Sequence, residues 1–99
     1  MSSPDFAGKT ILITGGSRGI GRAASTRLAS EGAKIAVNYV SNEEKAASIV
    51  LEIQEAGGEA VAIKGNVALP DDAARIAEET RSAFGPIDML VLSLIHISE

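Results

Sequence analysis

The chain has 99 residues, enough for one domain with a modest core, and 45% of them are hydrophobic and 22% charged, within the ordinary globular range. A net charge of −4, with no block of lysine or arginine, argues against nucleic acid and anionic membranes as general partners. Cysteine is absent, which excludes disulfides and thiolate metal sites and suits a cytoplasmic location, and neither a signal-peptide core nor an apolar run of bilayer length is visible.

The spacing of apolar residues predicts four strands with three helices between them. The predicted strands cover residues 10–14, 34–40, 60–64 and the chain from Met89 onward. The predicted helices run from the glycine-rich stretch to Gly32, from Ser41 to Gly57-Gly58, and from Pro70 to Gly85-Pro86. Ser41 followed by Glu44 matches a capping box, so we expect the second helix to start at Ser41.

The order β-α-β-α-β-α-β predicts an α/β fold. Strands that alternate with helices indicate a parallel sheet with right-handed crossovers. The strands are apolar without alternation, which is typical of a sheet covered by helices on both faces. We therefore predict a three-layer, doubly wound parallel sheet, without internal repeats and without a linker to a second domain.

Glycine is concentrated in the turn between the first strand and the first helix, which reads TGGSRGIG from Thr14 to Gly21. The carboxyl edge of a parallel sheet is where ligands bind, glycine lets a phosphate approach the backbone, and the helix points free N–H groups at that space. A pyrophosphate is the natural occupant, and the alternative is a plain turn without a ligand. The rival phosphate motif fails, because GKT at residues 8–10 precedes a strand and Ser3 occupies its first glycine position.

The stretch FAGKTILITGGSRGIGRA, with T-G-x-x-x-G-x-G after the first strand, resembles the short-chain dehydrogenase/reductase family. The resemblance runs from Phe6 to Val91, includes GNV after the third strand and DMLV in the fourth, and is closest to the 3-oxoacyl-[acyl-carrier-protein] reductase and glucose dehydrogenase-like branch. It implies that residues 1–91 are the N-terminal half of a Rossmann-like NAD(P)-binding domain, truncated after the fourth strand.

The residues around the second strand bear on the choice of cofactor. A carboxylate at the end of that strand would bind the ribose of NAD and repel the phosphate of NADP, but no acid occurs before Glu43, which falls in the next helix. Arg18 matches the basic residue of NADP-using relatives, and the alternative for it is a solvated surface charge. We predict that NADP(H) is preferred over NAD(H). The predicted cofactor-binding residues are Gly15, Ser17, Arg18, Gly19, Ile20, Gly21, Asn38, Tyr39, Ser41, Asn66 and Val67.

Two positions beyond the third strand are interpreted from the resemblance. Asn66 and Val67 border the adenine, and Asn66 accepts from the adenine amino group through its carbonyl where many relatives have aspartate. The alternative for Asn66 is a loop residue that bonds its own backbone. Asp88 matches an acid at the start of the family's fourth strand, and we expect its role to be structural.

The chain carries no predicted catalytic residue and no predicted metal ligand. In the family, serine, tyrosine and a lysine at Y-x-x-x-K spacing come from the second half of the chain, whereas Tyr39 here is followed four positions later by Glu43. The resemblance implies a parent that reduces a small-molecule carbonyl, or oxidises an alcohol, and works as a homo-oligomer. The 99 residues alone are expected to leave apolar sheet surface uncovered, to bind nucleotide weakly at most and to be inactive.

Two alternative functions remain. One of them involves residues near the end of the chain. A non-catalytic nucleotide-sensing module would keep the fold without the chemistry. A hydrolase built on His96, with Ser93 and Ser98, is weak because no acid is placed to orient the histidine. The segment LSLIHISE is the translation of CTG TCT CTT ATA CAC ATC TCC GAG, a transposon-end adapter of sequencing libraries, so we expect residues 92–99 to be non-native read-through.

Overall fold

The computed structural model describes residues 6–15 and 19–92, apart from the side chain of Ile20. The strands are β1 (Thr10–Thr14), β2 (Lys34–Tyr39), β3 (Glu59–Lys64) and β4 (Met89–Leu92). The helices are α1 (Gly19–Ser30), α2 (Glu43–Glu55) and α3 (Pro70–Phe84). Within the described ranges, no helix is both long enough and apolar enough to cross a bilayer.

All strand pairs are parallel, and the order across the sheet is β3-β2-β1-β4. The chain moves outward from β1 to β2 and β3, and then crosses back to place β4 on the other side of β1. The direction of winding therefore reverses at β1, which makes the gap between the carboxyl ends of β1 and β4 a topological switch point. The predicted doubly wound parallel fold is confirmed.

Helices cover both faces of the sheet. Successive side chains of each strand point to opposite faces, and apolar side chains occur on both. On one face, Ile11, Ile13, Ile35 and Val37 pack with buried residues of α1 and α2. On the other face, Leu12 of β1, Ala36 of β2 and Ile63 of β3 pack with Ile76 of α3. The sheet is thus the middle of three layers, as the apolar strands predict.

The helix ends agree with the sequence in one case and differ in another. Pro70 is the first residue of α3, and Gly85 is its C-cap at φ 95°, as predicted. The predicted start of the second helix at Ser41 is wrong, because Asn42 is the N-cap of α2 and its side chain accepts a hydrogen bond from the backbone N–H of Lys45. Asparagine is as good an N-cap as serine, and it stands one residue closer to the first turn.

The face of β4 on the α3 side is partly bare. The exposed fractions of Leu90 and Leu92 are 53% and 58%, and both line a cavity of about 320 Å³ together with Leu12, Ile76 and Ile87. Only α3 packs on this face within the described residues, so the expectation of uncovered apolar sheet surface is confirmed for them.

Gly65, directly after β3, lies so close to α3 that no side chain fits there. A Cβ atom built on Gly65 would lie 2.7 Å from Cδ1 of Ile76 and 2.8 Å from Nη2 of Arg75. Gly65→Ala should therefore lower the free energy of unfolding by about 1–3 kcal/mol in urea denaturation, the usual cost of overpacking a core. Ile76→Val removes the Cδ1 atom, so the two substitutions should cost less together than the sum of their separate costs. Additive costs would contradict this packing.

Candidate nucleotide-binding site

The turn after β1 opens at the topological switch point. Gly15 follows Thr14 with φ 65°, a left-handed conformation that glycine adopts without steric cost. The helix α1 begins at Gly19, so the chain turns from strand to helix within four residues. Of the predicted site residues in this turn, Ser17 and Arg18 lie outside the described residues, as does the side chain of Ile20.

The first turn of α1 suits a negatively charged ligand. It contains no acidic residue, so nothing of its own neutralises the positive end of the helix dipole. Gly21 is buried there, and its carbonyl oxygen accepts a hydrogen bond of 2.7 Å from the buried hydroxyl of Ser25. The helix start is therefore braced from within the helix, and the free N–H groups of a helix N-terminus are in general well suited to bind an anion.

The end of β2 contributes the predicted residues Asn38, Tyr39 and Ser41, which play different parts. Ser41 is exposed at the rim. Tyr39 is 8% exposed and packs in the core on the α1–α2 side, so it is not available as a proton donor. Asn38 is 2% exposed, and its amide Nδ2 donates to the carbonyl oxygens of Ile63 at 3.1 Å and Gly65 at 3.0 Å. Asn38 thus ties the end of β2 to the end of β3.

Glu43 is the acidic residue nearest to the end of β2 in the sequence. It is exposed in the first turn of α2, inside the helix as predicted. The strand end itself, from Asn38 to Ser41, carries no carboxylate. A ribose 2′-phosphate would therefore meet no negative side chain from these four residues.

The turn after β3 is built around Asn66. Its backbone N–H donates to Oδ2 of Asp72 at 2.9 Å, and its backbone carbonyl accepts from the N–H of Leu69 at 2.9 Å. Its side-chain Oδ1 accepts from the N–H of Ala68 at 2.9 Å, which is the self-bonding alternative for this residue. Val67, the other predicted residue here, is 39% exposed beside this turn.

Two side chains of α3, those of Asp72 and Arg75, form hydrogen bonds with the backbone of this turn. Arg75 donates from Nη2 to the carbonyl oxygen of Lys64 at 2.8 Å, and the same nitrogen lies 3.9 Å from Oδ1 of Asp72. Asp72, the third residue of α3, accepts the Asn66 N–H, so both ends of the stretch from Lys64 to Asn66 are tied to the helix. Asp72 and Arg75 are not among the residues predicted for the site, and the only signal for them in the sequence is an acid in the first turn after Pro70.

Asp88 has the structural role expected for it. Its carboxylate Oδ2 accepts the backbone N–H of Thr10 at 2.9 Å, and its own N–H donates to the carbonyl oxygen of Thr10 at 2.9 Å. These two bonds fix β4 beside β1 at the end opposite the glycine turn. In the part of the chain that the structure describes, no group of three His, Cys, Asp or Glu could hold a metal ion.

Comparisons with known proteins agree with this geometry. The family model described as short chain dehydrogenase matches residues 9–93. The chain is 46% identical over 83 residues to 3-oxoacyl-[acyl-carrier-protein] reductase FabG of Staphylococcus epidermidis, covering 84% of this chain and 34% of that protein. A dehydrogenase/reductase from Sinorhizobium meliloti 1021 matches with a TM-score of 0.86 and 48% identity, covering 89% of this chain and 35% of that one.

A further similar structure contains a nucleotide. It is a short chain dehydrogenase from Burkholderia cenocepacia J2315 in complex with NADP, with a TM-score of 0.81 and 40% identity over 86% of this chain and 35% of that one. The chain spans about a third of the length of each of these relatives.

Proposed function

Because the chain belongs to the short chain dehydrogenase family, we propose that it forms the NADP(H)-binding part of an oxidoreductase. The whole protein would reduce the carbonyl of a 3-oxoacyl group or another ketone, or oxidise the matching alcohol. The substrate class follows the Staphylococcus relative, whose name specifies a 3-oxoacyl reductase. The nucleotide follows the Burkholderia relative, which is in complex with NADP.

The observation that carries the proposal is the glycine turn at the switch point between β1 and β4. Gly15 turns the chain at φ 65°, and α1 starts at Gly19 without an acidic residue in its first turn. Backbone N–H groups and the helix dipole together suit a diphosphate. The residues proposed to hold the diphosphate are Gly15, Ser17, Arg18, Gly19, Ile20 and Gly21.

This chain is proposed to bind the nucleotide and not to supply the proton donor. The bound nicotinamide would supply or accept a hydride. The residues of this chain bind and orient the nucleotide, and Tyr39 is buried in the core, so the proton donor is proposed to come from sequence beyond it. The 99 residues alone should then bind NADPH weakly and show no turnover. NADPH oxidation by the purified chain would contradict this assignment of the chemistry.

A chimera tests the function itself. In it, residues 1–91 replace the matching part of the Staphylococcus epidermidis reductase, with which the chain shares 46% identity. The chimera should oxidise NADPH when a 3-oxoacyl thioester is added. A folded chimera that binds no nicotinamide nucleotide would overturn the proposed function.

NADP(H) is proposed to be preferred over NAD(H), with Arg18, Asn38 and Ser41 near the 2′-phosphate. The support is the strand end without a carboxylate and an arginine in the glycine turn. In the chimera, Arg18→Ala should raise the Kd for NADPH at least tenfold, since hydrogen bonds to a charged group contribute about 1.5–3 kcal/mol. The Kd for NADH should change less than twofold. Tighter binding of NADH than of NADPH by the unsubstituted chimera would refute the preference.

The remaining assignments are also proposals. A homo-oligomeric parent rests on the family, and a cytoplasmic location rests on the absence of cysteine. Residues 92–99 are proposed to be adapter read-through. Independent sequencing reads that continue in frame through these codons into genomic DNA would refute the last proposal.

A further inference from the structure

The first turn of α1 lacks the groups that stabilise the start of the other two described helices. α2 begins after the capping side chain of Asn42 and has two acidic residues in its first turn, and α3 begins with Pro70 and also has two acidic residues there. The first turn of α1 has no acidic residue, and it contains Gly19 and Gly21. Glycine is the weakest helix former after proline, so α1 has the weakest start of these three helices.

One buried side chain within α1 supports this weak start. Ser25 is fully buried, and its hydroxyl donates to the carbonyl oxygen of Gly21 at 2.7 Å. In an α-helix the same carbonyl also accepts the backbone N–H of Ser25, so one residue supplies both of its hydrogen bonds. Because water does not reach the Ser25 hydroxyl, solvent does not compete for this bond. The first turn is therefore tied to the next turn by a side chain as well as by the backbone.

The turn that Ser25 supports is the one proposed to hold a diphosphate. The N–H groups of the first residues of a helix have no partner within the helix, and they are the donors that a bound anion takes up. These donors point in a common direction only while the first turn is helical. A ligand that binds a frayed turn must first order it, and the cost of that ordering lowers the affinity.

We infer that Ser25 is a positioning residue for the diphosphate site, because its bond to Gly21 keeps the first turn of α1 helical before the nucleotide binds. The inference rests on the proposed binding of an NADP-type dinucleotide at the glycine turn. Since Ser25 is fully buried, it acts through the turn and not by contact with the nucleotide. Its effect should therefore fall on ligands that carry a diphosphate.

Ser25→Ala in the chimera removes the hydroxyl and leaves a strong helix former in its place. The Kd for NADPH, measured by dihydronicotinamide fluorescence, should rise about three- to fivefold, since the net contribution of one hydrogen bond corresponds to about fivefold in an equilibrium constant. Adenosine 2′-monophosphate has the 2′-phosphate but no diphosphate. Its Kd, measured by displacement of NADPH, should change less than twofold, whereas a general loss of structure would weaken both ligands alike.

Thr80→Val is the matched control. Thr80 is also fully buried, and its hydroxyl donates to the carbonyl oxygen of Ile76, four residues earlier in α3, at 2.8 Å. Valine keeps the shape of the side chain and removes the same kind of bond from a helix that does not follow the glycine turn. The Kd for NADPH should change less than twofold in this variant.

Hydrogen exchange in the nucleotide-free 99-residue chain measures the turn itself. The backbone N–H groups of residues 23 and 24 bond to the carbonyls of residues 19 and 20 in an α-helix, so they should exchange at least threefold faster in Ser25→Ala. Unchanged exchange there would overturn the inference and leave the proposed function standing. So would a Kd for NADPH that rises less than twofold, or a loss shared equally by adenosine 2′-monophosphate or by Thr80→Val. If the unsubstituted chimera binds no NADPH, the proposed function fails, and this inference with it.

Discussion

Replacing Asn38 with leucine will lower the free energy of unfolding by about 2–4 kcal/mol, because two hydrogen bonds are lost and two carbonyl groups lose their donor. Asn38 is 2% exposed, and its Nδ2 donates to Ile63 and Gly65 across the two strand ends. Leucine has a similar size, so lost polarity and not lost volume should dominate. Urea denaturation measures the change. Asn42→Ala is the control, since it removes one exposed cap bond and should cost only about 1 kcal/mol.

Asn38→Asp separates the hydrogen bonds from the shape of the side chain. An ionised carboxylate would face two carbonyl oxygens in a buried site, so its pKa should rise above the usual value. The folded state then binds more protons than the unfolded state, and stability is lost as the pH rises above the unfolded value of about 4. The deficit relative to the unsubstituted chain should be larger at pH 7 than at pH 4. A deficit that is larger at pH 4 would contradict the assigned contacts.

Gly15→Val will abolish most nucleotide binding. Gly15 has φ 65°, and a β-branched residue in this region is a steric outlier that costs about 1–2 kcal/mol or more. The strain should move the turn away from the conformation that presents N–H groups to a diphosphate. The Kd for NADPH should rise at least tenfold in fluorescence titrations of the chimera.

Gly57→Val controls for the cost of the backbone conformation. Gly57 has φ 94° with no atom within 4 Å of a built Cβ, and it lies after α2, in a different turn from Gly15. It should lose stability to a similar degree and keep the Kd for NADPH within twofold. If both variants lose binding equally, the glycine turn has no special role in holding the nucleotide.

Local patterns predicted the elements of the fold well, because they depend on spacing along the chain. The four strands match within one residue, and the helix boundaries at Pro70 and Gly85 depend on the backbone chemistry of those two residues. The start of α2 was missed by one residue because Ser41 and Asn42 are both good caps, and only the backbone path decides between them.

The site was predicted less completely, because its supports come from distant parts of the sequence. In the sequence, Asn38 is a polar residue at a strand end, which suggests a ligand contact. In the structure, its amide Nδ2 donates to the carbonyl oxygens of residues 25 and 27 positions away. In the sequence, Asp72 is an acidic residue at a helix N-terminus. In the structure, its carboxylate accepts a hydrogen bond from the backbone N–H of Asn66. Such tertiary hydrogen bonds leave no periodic signal, so the sequence shows the residues but not their partners.

The most direct test of the nucleotide site is a ¹H–¹⁵N NMR titration of the 99-residue chain with NADPH. The amide signals of residues 14–21 should shift most, and inorganic diphosphate alone should move the same signals. The groove between the ends of α1 and α2, lined by Ala29, Ser30 and Ala56, is the competing location. Largest shifts in that groove, with the glycine turn unmoved, would contradict the proposed site.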